Sequence, residues 1–507
     1  MKKSHFILLA IVSLLSSCIA DDFDKMQSSN WEPEIAIPLI DSRFGIDRLI
    51  NKFDSAGLFT TDDDDVIVMV YEDRIFEISA DSLFKINDIK FDLAILQNSG
   101  IGNLQVGQFL LKSLDLDQGT LLVHIEDDIS EDTRVTLNMP KTTKNGVPFE
   151  ESFTLEYSGL PVTIFDTIFD LSDYLFDLSG NGNQSNNLKI NYKANKISNN
   201  DSVVLNVFEV EFLDLSYEFM DGNFGQWSLG TDRDSLKLDV FKNFKSGRII
   251  LEDPKFQFDI TNGFGMPLNV SFGNFEANGS EGDALLTGPG VDNGIAVGAP
   301  GGTGSPPSQT NKELNSSNSN ISEFFAITPN ALKFNFNIEG NADNDTTIYN
   351  FINKSSKLVG DIKLSLPFKG SLDSVIIEDI YDFQHEEMKN LDKAEFKLFT
   401  LNSFPVGIYM QIYFLDENKT VLDSLIQDNE SLFREAIADA DGFSIQAVPE
   451  ESYFTIGQGR FSHIKQSADF LKIKVMLLTD ESTKKTIKIT DKDYFDFKLG
   501  VRAALKL

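Results

Sequence analysis

A chain of 507 residues that is 41 % hydrophobic and carries 43 phenylalanines has room for roughly two to four domains with sizeable cores. Its formal charge of −34 is repelled by phosphate backbones and anionic headgroups, which disfavours nucleic-acid binding and attachment to membranes by a basic patch. A single cysteine excludes intrachain disulfides, so stability has to come from packing.

The chain opens on Lys2 and Lys3, then an apolar run from Phe6 to Leu15 broken only by Ser13. That run suits a signal-peptide core and is too short to span a bilayer. Leu15-Ser16-Ser17-Cys18 follows and holds the one cysteine. The tetrad resembles a bacterial lipobox. The resemblance implies a signal peptide over residues 1–17, cleavage before Cys18, a diacylated thiol and an acylated new amino group. Each buried methylene contributes about 0.8 kcal/mol, so several acyl chains hold almost permanently. Residues 18–30 read as a lipidated acidic tether. Within it, Ile19-Ala20-Asp21-Asp22-Phe23-Asp24 resembles the surface-export signal of Bacteroidota lipoproteins in its flavobacterial form. This implies that Asp21, Asp22, Phe23 and Asp24 send the protein to the outer face of the outer membrane. No second apolar run nears twenty residues, so no transmembrane helix is expected.

The globular part starts near Trp31. Pro33 and Pro38 make residues 32–40 extended. Asp41 or Ser42 is placed to cap a short helix, with Ile46, Leu49, Ile50 and Phe53 as its apolar stripe. Beyond it a two-residue period takes over. Leu121, Val123 and Ile125 alternate with polar neighbours, as do Val135, Leu137 and Met139, then Leu188, Ile190 and Tyr192, then Leu236, Leu238 and Val240. Phe256, Phe258 and Ile260 continue it, then Leu332, Phe334, Phe336 and Ile338, and the chain closes with Phe495, Phe497, Leu499, Val501, Ala503, Leu505 and Leu507. One buried and one wet face per strand indicates a mostly β protein: tandem antiparallel β-sandwich domains with a few short helices.

The expected divisions are one or more N-terminal β domains over 31–240, a sandwich segment over 241–325 and a C-terminal sandwich over 326–507. Gly279 to Asn320 is rich in Gly, Pro, Ser and Asn. It reads as a linker or as a long loop within one domain, in which Ile295-Ala296-Val297 would be a strand. Helix signals occur at Ser319 to Phe325 and at Glu430 to Asp439, the latter with Leu432, Phe433, Ala436 and Ile437. Asn262-Gly263-Phe264 and Asn402-Ser403-Phe404-Pro405 each sit between two apolar strands. That arrangement resembles the WHy-type β-sandwich module and implies two similar sandwiches.

Motifs for catalysis are few. His124 faces away from Val123 and Ile125 on an alternating strand, which suits a surface histidine. His385-Glu386-Glu387-Met388-Lys389 has Lys389 where a zinc-protease helix needs its second histidine. His463 is the remaining histidine of the mature chain. The sequence has no nucleophile elbow, phosphate loop or dinucleotide fingerprint. Carboxylate pairs for a glycosidase arise by chance in so acidic a chain. Asp62-Asp63-Asp64-Asp65 offers clustered oxygens to Ca²⁺ but reads better as a solvated turn. Asp439-Ala440-Asp441-Gly442 reads as a turn, since Ile437 and Val448 occupy the end positions of an EF-hand pattern.

Phe224 and Trp227 lie in a loop-like stretch and serve either as a ligand platform or as a plug at a sandwich end. Asp followed by Ser or Thr recurs before aliphatic residues or Thr, placing Ser55, Ser82, Thr167, Ser202, Ser235, Thr346, Ser374 and Ser424 in a motif for which composition alone gives roughly two or three copies. The triplets resemble the O-glycosylation acceptor of the Bacteroidota.

The sequence therefore points to a non-catalytic surface lipoprotein without cofactor. Its expected partners are the outer membrane, through the lipid, and an outer-membrane barrel or transporter protein in a transport or biogenesis complex. The alternatives are a glycan- or nutrient-binding lipoprotein beside a TonB-dependent transporter, and an acidic hydrolase.

Overall fold

The computed structural model describes residues 34–45, 59–94, 101–104, 106–180, 184–232, 234–238, 241, 244–383, 391–426, 431–479 and 486–505. Antiparallel strands dominate, and the alternating residues supply the core. Leu121, Val123, Ile125, Val135, Leu137, Met139, Phe256, Phe258, Ile260, Leu332, Phe334, Phe336 and Ile338 are all buried. Val240, Leu507 and the stripe from Ile46 to Phe53 lie outside the described residues.

The sheets close into three sandwiches. In the first, the long strands Leu110–Asp127 and Val207–Asn223 pair with each other. Thr163–Asp170 extends that sheet on one side and Ile89–Asp92 on the other. Thr133–Lys144 faces it, flanked by Val147–Leu155 and Asn191–Lys196, and Leu175–Asp177 bridges the two layers. Phenylalanines join the layers: Phe153 stacks on Phe165 with ring centres 4.9 Å apart.

The second sandwich sets a five-stranded sheet, centred on Lys357–Pro367 and Lys255–Asn262, against two four-stranded sheets. Phe258 meets Phe272 edge-on at 5.0 Å, and Phe256 meets Phe275 at 5.2 Å. The third pairs a four-stranded sheet, in the order Glu34–Gly45, Tyr494–Leu505, Leu391–Asn402, Val448–Ile456, with a seven-stranded sheet built on Lys369–Asp382, Phe470–Leu478 and Gly407–Leu415.

Strand pairing crosses the divisions at 240 and 325. Ile67–Ser79 pairs with Lys357–Pro367, and Glu34–Gly45 pairs with Tyr494–Leu505. One core runs from Met69 to Val375 through the first two sandwiches and reaches the seven-stranded sheet of the third at Ile249, Leu251 and Val375, and a second runs from Phe396 to Leu499 within the third.

The crossing from one sheet to the next uses the same device three times. Asn262 ends its strand fully buried; its Oδ1 accepts the Phe264 N–H at 2.9 Å and its Nδ2 donates to the carbonyls of Met266 and Gly298, both at 2.8 Å. Asn402 repeats this with the Phe404 N–H and the carbonyls of Val406 and Arg434. Asn223 repeats it with the Gly225 N–H and the carbonyls of Asp345 and Ile348. The two expected corners are therefore accompanied by a third.

Two local expectations are corrected, and one left open is decided for a connection within one domain, with Ile295–Val297 as a strand. Asp41 and Ser42 cap no helix; they lie in the strand Glu34–Gly45, opposite Lys498 and Phe497. The helix expected at Glu430 to Asp439 is not formed over residues 431–439, and Glu430 lies outside the described residues. Ser431–Phe433 pairs with Ile408 to Met410, the Arg434 carbonyl is taken by Asn402, and the Ala436 N–H donates to the Phe404 carbonyl, so these groups have no i to i−4 partner. Gly279 to Asn320 is no linker. It contains the strands Gly282–Leu285, Ile295–Val297 and Ser308–Leu314, each paired within the second sandwich. The helix signal near Asn320 is realised as Ile321–Ala326, whose Phe324 and Phe325 are buried.

Candidate interaction surface

Exposed aliphatic side chains gather in the first sandwich, where the chain passes from Val147–Leu155 to Thr163–Asp170. The arch between them exposes Tyr157, Leu160 and Val162, and is tied down where the Tyr157 N–H donates to Asp132 Oδ1 at 2.9 Å. In Thr163–Asp170 the two-residue period puts Phe165 and Phe169 inward and Ile164, Asp166, Ile168 and Asp170 outward. Ile164 is 62 % exposed and Ile168 66 %, where an ordinary sandwich strand would carry polar residues.

Register across four strands sets the electrostatics of the outer face. Asp92, Glu209, His124 and Asp166 form one row. Lys90, Glu211, Leu122 and Ile168 form the next. His124 Nδ1 lies 2.7 Å from Asp166 Oδ1, and Nε2 lies 3.4 Å from Glu126. The Asp166 hydrogen bond holds the imidazolium pKa above the usual histidine value. Lys90 reaches Glu209 at 2.6 Å. Asp170 is held below the usual carboxylate range by the Ser172 hydroxyl and N–H. The face is thus acidic, with aliphatic positions between the carboxylates.

The other sites named from sequence distribute as follows. Cys18, Asp21, Asp22, Phe23, Asp24, Ser55, Trp31 and His385 lie outside the described residues. Phe224 is no platform: it is buried against Phe84 and Phe109, 5.4 and 5.5 Å between ring centres. Trp227 is half-buried over its cross-strand partner Gly340 and meets Phe84 edge-on at 5.8 Å. Asp62 to Asp65 form a tight turn, in which Asp62 Oδ1 accepts the N–H groups of Asp64 and Val66 and Lys492 pairs with Asp65 at 2.6 Å. Among the described residues, no three His, Cys, Asp or Glu side chains are grouped as a metal ion would need. Ser82, Ser202, Ser235, Thr346 and Ser374 are exposed, whereas Thr167 and Ser424 are half-buried. His463 is exposed on the helix Gln458–Ser467.

The exposed arch and strand are the functional candidate that sequence reading missed. The signal was present in Thr163 to Asp170, where one phase alternates Thr with Phe and the other Ile with Asp, with no lysine, arginine or proline.

No protein-family model matches the chain, and neither does any curated protein. Among solved structures, a candidate secreted protein from Parabacteroides distasonis aligns over 93 % of this chain and 99 % of its own, at 10 % identity and a TM-score of 0.30. The tandem CBM22 domains of Paenibacillus barcinonensis Xyn10C align over 56 % and 93 %, at 9 % identity and a TM-score of 0.16. Likenesses this loose carry no functional inference.

Proposed function

We propose that this chain is a non-catalytic surface lipoprotein, anchored through Cys18, that acts as an interaction subunit of an outer-membrane protein complex. The observation that carries the reading is the aliphatic arch and strand from Tyr157 to Ile168, left exposed on a strongly acidic molecule. Several exposed aliphatic side chains gathered in one region favour a protein partner over a soluble small molecule. The Leu15-Ser16-Ser17-Cys18 tetrad and the acidic residues after it support the anchor and the outward address.

The fold adds a geometric consequence. Glu34–Gly45 is an edge strand of the third sandwich. Residues 19–33 extend at most about 3.5 Å each, so this sandwich would stay within roughly 50 Å of a lipid on Cys18. The arch in the first sandwich would be free for a partner.

Native purification from detergent-solubilised outer membranes tests the reading. A stoichiometric barrel or transporter protein is expected to co-purify, and recovery of the chain alone would overturn it. A Cys18→Ser variant is expected to leave the membrane fraction, and protease shaving of intact cells is expected to cleave the wild type.

A further inference from the structure

The exposed isoleucines lie on an unguarded sheet edge. Among the described residues Thr163–Asp170 pairs with Leu110–Asp127 alone, in continuous register from Thr120 opposite Asp170 to Asp127 opposite Thr163. Alternate residues of an antiparallel edge strand direct their N–H and C=O groups away from the sheet. Such edges are ordinarily blunted by lysine, proline or a bulge.

Every other described strand of six or more residues that pairs with one strand only has such a guard. Glu34–Gly45 has Pro38 and a register shift after it. Val147–Leu155 has Pro148, and Val448–Ile456 has Pro449. Asn191–Lys196 has Lys193, Ser308–Leu314 has Lys312, and Phe244–Leu251 has Lys245 and two register shifts. Thr163–Asp170 has none of these, and its outward side chains run Ile164, Asp166, Ile168, Asp170. The nearest acids on the same face, Glu126, Glu209 and Glu211, add to the negative potential.

We propose that Thr163–Asp170 is a strand-addition site for an extended segment of a partner protein whose every second residue, on one face, is in turn aliphatic and lysine or arginine. The added strand would take up the free backbone groups, set its aliphatic side chains beside Ile164 and Ile168, and set its cations beside Asp166 and Asp170. Two copies of this chain suit each other poorly here, because neither outward face offers a cation to the other's Asp166 and Asp170. The proposal rests on the reading of the protein as an interaction subunit and specifies the chemistry of that partner.

A fluorescent, end-capped (Val-Thr-Lys-Thr)₂ peptide, which presents Val, Lys, Val, Lys on one face of a strand, titrated against the full chain tests it. Saturable binding is expected, weakening as salt rises. A (Val-Thr-Glu-Thr)₂ peptide and a (Val-Thr-Lys-Thr)₂ peptide N-methylated at alternate residues are each expected to bind at least about ten-fold more weakly, a loss of about 1.4 kcal/mol. An Ile164→Lys/Ile168→Lys variant is expected to lose binding, and Asp166→Asn/Asp170→Asn to keep it weakly with little salt dependence. Hydrogen exchange of the wild type is expected to slow within residues 163–170 on peptide addition. Equal binding of the N-methylated peptide, or exchange protection elsewhere alone, would overturn the proposal. Unaltered thermal unfolding separates lost binding from lost folding. If a membrane partner co-purifies equally with the Ile164→Lys/Ile168→Lys variant, the interaction reading stands and the strand-addition site fails. If the peptide binds but no partner co-purifies, the reverse holds.

Discussion

Each of the three corner asparagines satisfies one backbone N–H and two carbonyls from a buried amide. Alanine at such a position strands three buried polar groups, while aspartate keeps the acceptor and loses both donors. Asn262→Ala and Asn402→Ala are each expected to lose about 2–4 kcal/mol in urea titrations with an unchanged slope, and the Asp variants a comparable amount. Two of these corners were legible because phenylalanine stands two residues after the asparagine. The third was not, because in Asn223-Phe224-Gly225 the ring comes one residue early and the stretch reads as an aromatic loop. His124 gives a pH signature of known sign. Its raised pKa means the Asp166 contact stabilises the fold fully below the unfolded histidine value near 6.5, and the contribution is lost as pH rises through the folded value. Asp166→Asn is therefore expected to lower the His124 pKa in an NMR titration, and to narrow the difference in stability between pH 5.5 and pH 8.

At the scale of elements, cross-strand pairs decide what periodicity leaves open. Trp227 and Gly340 are direct partners, and a Cβ on Gly340 would fall 2.3 Å from the indole Nε1. The glycine is thus the seat of the ring, and its side chain is absent for reasons of space. Gly340→Ala is expected to cost about 1–3 kcal/mol and to shift tryptophan emission to longer wavelength as the indole moves into water. Such partnerships do not show in a single sequence, since Trp227 and Gly340 are far apart in the chain. The same limit explains the misread segment at Glu430 to Asp439. Its apolar spacing fits a helix, yet Ser431–Phe433 finds a partner in Gly407–Leu415, and Asp439 Oδ1 accepts the N–H groups of Asp441 and Phe443 to close a turn. The strands legible in advance were those with three or more strictly alternating apolar residues, whose buried phase needs no knowledge of the partner.

The whole molecule carries two cores whose coupling can be measured. The first spans two sandwiches and the second is confined to the third. They touch through Leu477, which packs against both, and through the strands Phe244–Leu251 and Lys369–Asp382 of the third sandwich's seven-stranded sheet, whose Ile249, Leu251 and Val375 belong to the first core. So few shared side chains give each core its own cooperative unit, because cooperativity follows the buried apolar contacts that must be lost together. Calorimetry on the soluble chain without its anchor is expected to resolve two transitions. Asn402→Ala is expected to lower only the one belonging to the third sandwich, by roughly 5–15 °C for a loss of 2–4 kcal/mol in a unit of that size. Asn262→Ala is expected to lower only the other. The strand Glu34–Gly45 joins the third unit across Tyr494–Leu505, where Arg43 holds Asp496 through two hydrogen bonds of 2.6 and 2.8 Å, so removing residues 34–45 should act on the same transition as Asn402→Ala. A single transition displaced equally by both asparagine variants would mean that the continuous path through Phe368 couples the cores into one unit. A force on the anchor would then be felt by all three sandwiches together, rather than first by the third.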